Sequence, residues 1–245
     1  MRPRRRGKTF AARVKPFWMP IAVVAALAAT GIGFGVTWPG FRPQAIYVSG
    51  NHVVTRAEIV ARAGISPRES IWLQNARAIR LRIEAIPYVA SAAVHRRVPA
   101  SVSIVVTERA PYAVLRSGED SAVADHSLRV LAVADGSETL PVFVLPPGIV
   151  LVPGVFVTLP AAAALRKAQD ALADKGILPA SLGFDRFGGL VVELRGGVRV
   201  LLGSQSDLES KLALVKPILA QVVGEQRRVA AIDLRAPGTP VVVYR

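Results

Sequence analysis

Three kinds of hydrophobic pattern succeed one another along the chain. Residues 17–38 form an unbroken apolar run, and the nearest charged side chains are Lys15 before it and Arg42 after it. As a helix these 22 residues span about 33 Å, close to the roughly 30 Å of bilayer hydrocarbon, so the run predicts one membrane crossing with the lipid bilayer as a partner. Trp18 and Trp38 stand near its two ends, where amphipathic rings favour the headgroup level. A cleaved signal peptide, with Ala26-Leu27-Ala28 as the cleavage site, is the competing reading. The apolar run continues past that point through Ile32, Phe34 and Val36, which favours a retained anchor. Gly31 and Gly35 have the spacing that lets two membrane helices approach closely, although the ordinary glycine content of such a helix explains them as well.

The second stretch alternates between strand and helix periods. Ile46, Tyr47 and Val48 read as a strand that follows the membrane run after only a short linker, which places the first folded module close to the membrane surface. Ser49-Gly50-Asn51 is turn chemistry, and Thr55 with Glu58 makes a capping box that opens a helix closed at Gly64. Asn75 is the expected cap of a second helix, with Ile79, Ile83 and Ile86 on one face and Pro87 as its stop. Residues 90–98 and 101–109 are strands around Pro99-Ala100. The latter strand sets Val102, Ile104 and Val106 on one face. The order is β-α-α-β-β.

The third stretch is rich in strands: residues 112–116, 128–134 and 141–145 come first, divided by turn residues. An alanine-rich helix over 161–175 ends at Gly176. Strands over 181–187, 190–195 and 198–202 are joined at Gly188-Gly189 and Gly196-Gly197, read as two-residue hairpin loops. Ser206 with Glu209 forms a second expected capping box, and Leu208, Leu212, Val215, Leu219 and Val222 make one apolar stripe of a helix that holds Pro217. Residues 228–234 and 239–245 are strands about a turn at Ala236-Pro237-Gly238.

Charge sharpens the first stretch. The 245 residues carry 31 Lys and Arg against 17 Asp and Glu. Seven of the basic ones, Arg2, Arg4, Arg5, Arg6, Lys8, Arg13 and Lys15, fall in the first fifteen positions, where no acid occurs. Beside an apolar run this cluster is a topology signal that places the N-terminus in the cytoplasm and the rest outside the cytoplasmic membrane. A nucleic-acid-binding arm is the weaker reading, and no nucleic-acid partner is expected. Cysteine is absent, which excludes disulfides, thiolate catalysis and Cys-ligated zinc or iron–sulfur sites. His52, His95 and His126 lack the i, i+4 histidine partner of a helical zinc motif and read as turn or surface residues. Gly203-Ser204-Gln205-Ser206 lacks the second glycine of a nucleophile elbow, and no phosphate-binding loop or Ser-x-x-Lys motif occurs. Glu119, Asp120 and Asp125 are close enough in sequence to hold a cation, but two strand-flanking turns explain them more simply. Nothing here calls for a catalytic residue, a metal or a cofactor; the expected activity is binding, not catalysis.

Residues 48–58 (Val-Ser-Gly-Asn-His-Val-Val-Thr-Arg-Ala-Glu), the segment Ile86-Pro87-Tyr88-Val89 and residues 99–111 (Pro-Ala-Ser-Val-Ser-Ile-Val-Val-Thr-Glu-Arg-Ala-Pro) together resemble a POTRA domain. A single such domain directly after one membrane helix is similar to the FtsQ/DivIB family of bacterial cell division proteins, whose β domain follows and ends in a hairpin like this one. Within that β domain, Ala231-Ile232-Asp233-Leu234-Arg235 carries the closest likeness. The resemblance implies an α+β chain in which a basic tail at 1–16 and a transmembrane helix at 17–38 precede a POTRA domain at 43–111 and a mixed β domain with packed helices at 112–245. It implies a non-enzymatic divisome scaffold of the inner membrane at the septum, binding FtsB and FtsL and through them the septal peptidoglycan synthase. A secretion or outer-membrane assembly subunit is the alternative.

The last strand is the expected binding site. Thr239, Val241, Val242, Val243 and Tyr244 are β-branched or aromatic, and an outermost strand there is a template for strand addition. Pro240 suits an edge. Tyr244 is a candidate aromatic anchor, and Arg186, Arg235 and Arg245 are candidate partners for acids at the rim. The resemblance carries a strand-receiving role onto Ala236 and residues 242–244; relatives can have an aromatic residue where Ala236 stands, and several extend past the final strand. In the POTRA module an extended strand, residues 46–48 or 102–106, with the helix over 75–86 beside it, is expected to offer an edge and groove for a partner segment near the membrane; an ordinary edge shielded by loops is the alternative.

Overall fold

The computed structural model describes residues 10–224 and 228–245. The basic positions from Arg2 to Lys8 lie outside the described residues. Two compact units form: one runs to Glu84 and takes in Ser91–Thr107, the other comprises Ala85–Ala90 and Glu108–Arg245.

Helix α1 (Phe10–Thr37) opens the first unit. Over Trp18–Thr37 it is long and apolar enough to cross a membrane. Met19, Ile21, Leu27, Ile32 and Phe34 all stand exposed along it, a surface that water disfavours and lipid accepts. After a single 3-10 turn at Pro39–Phe41 come β1 (Ala45–Ser49), α2 (Arg56–Ala63), α3 (Ala76–Glu84), β2 (Val89–Arg97) and β3 (Ser101–Glu108). The caps form as their residue types demand. Thr55 Oγ1 accepts from the Glu58 N–H at 3.2 Å, and Asn75 Oδ1 accepts from the Ala78 N–H at 3.0 Å. Gly64 closes α2 at φ +56°, and Arg82 donates to the orphan Ala63 carbonyl from Nε at 3.1 Å and Nη2 at 2.6 Å. Ile59 and Ala63 of α2, Ile79 and Ile83 of α3, and Val102, Ile104 and Val106 of β3 are all buried in the core of this unit.

The sheet order is β1-β3-β2, and β1 runs parallel to β3. Residues 102–106 are therefore in the central strand, which corrects the expectation that they offer an edge; β1 and β2 are the outer strands. Gly50 lies where only glycine fits, since its φ is +82° and a Cβ there would meet the Val106 carbonyl oxygen.

The second unit is a nine-stranded mixed sheet in the order β12-β11-β10-β9-β8-β7-β4-β5-β6. Its strands are β4 (Pro111–Ser117), β5 (Asp120–Asp125), β6 (Val130–Val133), β7 (Val142–Leu145), β8 (Pro179–Phe184), β9 (Leu190–Leu194), β10 (Arg199–Gly203), β11 (Val229–Asp233) and β12 (Val241–Tyr244). Helix α4 (Pro160–Asp174) crosses between parallel β7 and β8, and α5 (Leu208–Gly224) between parallel β10 and β11, as parallel neighbours require. The two helices pack on each other and bury Leu165, Leu172, Leu212 and Val215 with Phe143, Leu182, Val192, Val200 and Ile232.

Four local expectations are corrected. Strand β5 carries no sequence signal because residues 122–125 are buried on both faces, so the alternation that marks a half-buried strand is missing. The turns at Gly188 and Gly197 are three-residue loops, not two-residue ones. The Asp185 N–H bonds the Gly189 carbonyl and the Leu194 N–H the Val198 carbonyl, and a single glycine in each, at φ +80° and +73°, supplies the left-handed residue. The capping box on Ser206 does not form. Asp207 adopts φ +54° and its carbonyl accepts the first helical bond from Lys211, while the Ser206 hydroxyl meets Ser204 Oγ at 2.7 Å. Asp125 is no turn ornament: its carboxylate sits 2.6 Å from Arg109 Nη1 and also accepts from Ser127 Oγ and the Arg129 N–H.

Candidate functional site

The candidate site grows out of the β11–β12 hairpin. The Thr239 N–H bonds the Ala236 carbonyl at 3.1 Å and closes the turn through Pro237 and Gly238. The strands then pair Asp233 with Val241, Ile232 with Val242, Ala231 with Val243 and Val229 with Tyr244, a bulge absorbing Ala230. A 2.8 Å bond from the Arg245 N–H to the Arg228 carbonyl fixes the phase of this ladder. By antiparallel alternation Val241 and Val243 exchange bonds with β11, and Val242 turns its N–H and C=O to the outer side. Among the described residues no strand follows β12 on that side. Side chains divide the other way: Val241 and Val243 are 57% and 50% exposed, whereas Val242 and Tyr244 are half-buried.

Arginines bracket the strand. At the turn end Arg235 grips Asp233, with Nε 3.0 Å from both carboxylate oxygens and Nη2 2.5 Å from Oδ2. These bonds hold the Asp233 carboxyl below its ordinary pKa against partial burial. They also raise the Arg235 pKa, to which the charge of Asp185 adds. Arg186 follows Asp185 in the β8–β9 loop, its guanidinium 4.7 Å from the Phe187 ring centroid. At the other end of β12, Arg245 Nη2 donates to the Gly197 carbonyl at 3.1 Å. The hairpin thus joins Arg235, Ala236, Thr239 and residues 241–245, and Arg186 stands on the neighbouring loop. Sequence reasoning missed Asp233, although its i, i+2 spacing from Arg235 was the available signal.

The opposite edge of the sheet is built differently. Residues 154–157 lie along the start of β6, where the Gly154 N–H bonds the Val130 carbonyl (2.8 Å), the Val130 N–H the Val155 carbonyl (2.9 Å) and the Val157 N–H the Leu128 carbonyl (2.9 Å). The guanidiniums of Arg129 and Arg109 stand 5.5 and 5.9 Å from the Phe156 ring centroid.

Chemistry elsewhere is sparse. Among the described residues no three His, Asp or Glu converge as a metal set. His126 Nε2 lies 3.3 Å from both Asp170 oxygens, and Tyr112 donates to the same carboxylate; burial and then this bond push the Tyr112 phenol pKa well up. Lys211 is buried and its Nζ donates to the Leu202 and Ser204 carbonyls at 2.9 and 2.8 Å, so this interior polar group has partners.

Comparison with known proteins divides the chain in the same order. Residues 41–109 match the family of POTRA domains of FtsQ type, and residues 113–235 match the C-terminal region of the cell division proteins FtsQ/DivIB, which alone covers half of the chain. The cell division protein FtsQ of Bradyrhizobium diazoefficiens is 34% identical over 87 residues, 35% of this chain and 25% of that protein. That of Geobacter sp. strain M21 is 36% identical over 103 residues, 38% of this chain and 37% of its own. That of Syntrophotalea carbinolica is 37% identical over 76 residues, 31% and 27% of the two chains. The matched segments thus cover from a quarter to somewhat over a third of these relatives. The family match ends at Arg235, so β12 lies beyond it.

Proposed function

The chain belongs to the FtsQ/DivIB family of cell division proteins, and from that premise we propose that it is a single-pass, non-enzymatic scaffold of the divisome that receives a strand of FtsB on the outer side of β12. FtsL joins through FtsB, and the pair links this protein to the septal peptidoglycan synthase. Residues 17–38 cross the inner membrane with the N-terminus in the cytoplasm; the POTRA domain at 43–111 and the β domain at 112–245 work outside it at the septum.

One observation carries the partner reading: β12 is the outermost strand of its sheet, and Val242 presents its peptide groups outward between two exposed valines. Main-chain bonds to an added strand supply affinity in such a geometry, and side chains set the register. Arg186, Arg235 and Arg245 at the ends suit acidic residues of the incoming segment, and Arg235 would have to share itself between that segment and Asp233.

The test is titration of FtsB against the full-length protein in detergent. Val242→Pro removes an outward donor without touching the ladder to β11 and should weaken binding about 30-fold, the scale of a hot-spot residue. Unchanged affinity in a folded variant would move the FtsB site elsewhere. Depletion from cells should give filaments without septa; normal septation would remove the division role itself.

A further inference from the structure

Two large apolar side chains on the first unit have no role in its core. Trp72 is 43% and Leu73 55% exposed, side by side on the turn between α2 and α3. The turn is not a loose loop. Ile71 plugs it into the core with no exposed surface. From β2, Arg96 donates to the Ile71 carbonyl and to the Gln74 carbonyl, each at 2.7 Å. The buried Gln74 amide in turn accepts from the Ser66 N–H at 3.2 Å and donates to the Ser66 carbonyl at 2.6 Å. Holding exposed indole and isobutyl groups on so braced a turn leaves apolar surface in water that the fold does nothing to hide.

The turn's position supplies the reason. The Ile71 N–H bonds the Phe41 carbonyl at 2.8 Å, and Phe41 is only four residues past Thr37, where α1 ends. The rings continue the link: Phe41 stands edge-on to Trp38 with centroids 5.8 Å apart, and edge-on to Trp72 at 6.3 Å. Trp72 is therefore at most about 12 Å from Trp38, the ring that ends the membrane run. The interfacial layer on each side of the hydrocarbon is several ångströms deep and favours Trp, whose ring is apolar with one polar N–H. Arg42 and Arg68 are exposed nearby in sequence, with Glu69 the acid among them.

We propose that the Ile71-Trp72-Leu73 turn is a second membrane contact, with Trp72 and Leu73 inserted into the headgroup region of the leaflet from which α1 emerges. The occupant of this patch is lipid, because the ring contacts from Trp38 through Phe41 to Trp72 join it to the end of the apolar run. Such a contact fixes the tilt of the POTRA domain on the bilayer, which one helix and a short linker alone do not. The proposal rests on α1 being a membrane span.

The test uses full-length protein in vesicles of phosphatidylcholine and phosphatidylglycerol, with lipid brominated high on the acyl chain as quencher. Trp18→Phe with Trp38→Phe leaves Trp72 as the single indole; Trp18→Phe with Trp72→Phe leaves Trp38. We expect Trp72 to be quenched by the brominated lipid to at least half the extent of Trp38, and to be shielded from acrylamide. Quenching of Trp38 alone, with Trp72 open to acrylamide, overturns the contact and keeps the span. Shielding of Trp72 from both quenchers overturns it in favour of a protein cover. Quenching of neither indole by lipid overturns the span and the contact together. Should the Trp72-only variant lose its circular dichroism, Leu73→Cys is a second route in a chain with 0 cysteines. A nitroxide there should be more accessible to oxygen than to a water-soluble nickel complex, and the reverse order overturns the contact.

Discussion

The two edges of the nine-stranded sheet meet the same hazard in opposite ways. An outer strand offers backbone groups to any passing chain, and proteins blunt that offer by covering, charging or shortening the strand. At β6 the answer is cover. Residues 154–157 bond along its start, and Phe156 lies against Arg109 and Arg129, themselves tied to Asp125. At β12, four residues long like β6, no such segment lies alongside among the described residues, and Val241 and Val243 are left exposed. The start of β6 is thereby closed to an added strand, whereas the outer side of β12 accepts a partner whose register and charges fit.

The largest expected effect lies under the cover. Asp125→Ala would leave the Arg109 guanidinium, only 18% exposed, without its carboxylate, and should cost about 3 kcal/mol in urea unfolding. Burial alone would raise the Asp125 pKa, yet bonds from Ser127, Arg109 and the Arg129 N–H hold it below the ordinary value. A folded pKa below the unfolded one means that the contribution is complete above the usual carboxylate range, roughly pH 4, and fades as pH falls through the folded value. The parent should therefore lose stability on acidification more steeply than Asp125→Asn. Equal acid limbs would show that the pair does not hold the covered edge.

Next in size is the open edge. Val242→Pro should reduce FtsB affinity by about 2 kcal/mol in a calorimetric titration, with the melting transition of the free protein nearly unmoved, because proline is tolerated where the N–H faces outward. A large drop in melting temperature would mean that the outer side of β12 is in use within the monomer. Glycines give a smaller contrast. Gly154 holds φ +90° in the covering segment, so Gly154→Ala should cost about 1 kcal/mol. Gly238, in the β11–β12 turn, has an ordinary φ and open space for a Cβ, so Gly238→Ala should be neutral or stabilising by a few tenths of a kcal/mol. Asp233→Ala belongs with these small effects. It breaks an ion pair whose arginine is 57% exposed and should change stability by under about 1 kcal/mol. A gain in FtsB affinity from the released Arg235 would sharpen the assignment of that residue to the rim.

Signals that act within one turn are legible in the sequence. The apolar run of α1, the caps at Thr55 and Asn75 and the left-handed stop at Gly64 each depend on neighbours three or four residues away. What escapes is nonlocal. Asp125 finds Arg109 across sixteen residues, and β5 is enclosed on both faces, which erases its alternation. The loops at Gly188 and Gly197 can be located from their glycines but not sized, since a glycine pair fits either loop length. Within the candidate site, the β-branched run from Val241 announces a strand. Its place outermost depends on α5 delivering β11 alongside β10, a fact of topology that no property of residues 239–245 encodes.

The parallel pairing of β1 with β3 has a mechanical consequence. The chain enters β1 from the side of α1 at Ala45, and it passes from β3 into the second unit at Glu108. A load applied between residues 45 and 108 therefore pulls two parallel neighbours in opposite directions along their length. Five residue pairs, from Ala45 with Ser101 to Ser49 with Val105, must slip together before the strands part. An antiparallel hairpin loaded at its open end would instead peel one bond at a time. On the proposed anchoring at the septum, the chain is tethered through the stronger of the two geometries, and in force spectroscopy this domain should yield in a single high-force event when pulled from residue 45 and residue 108.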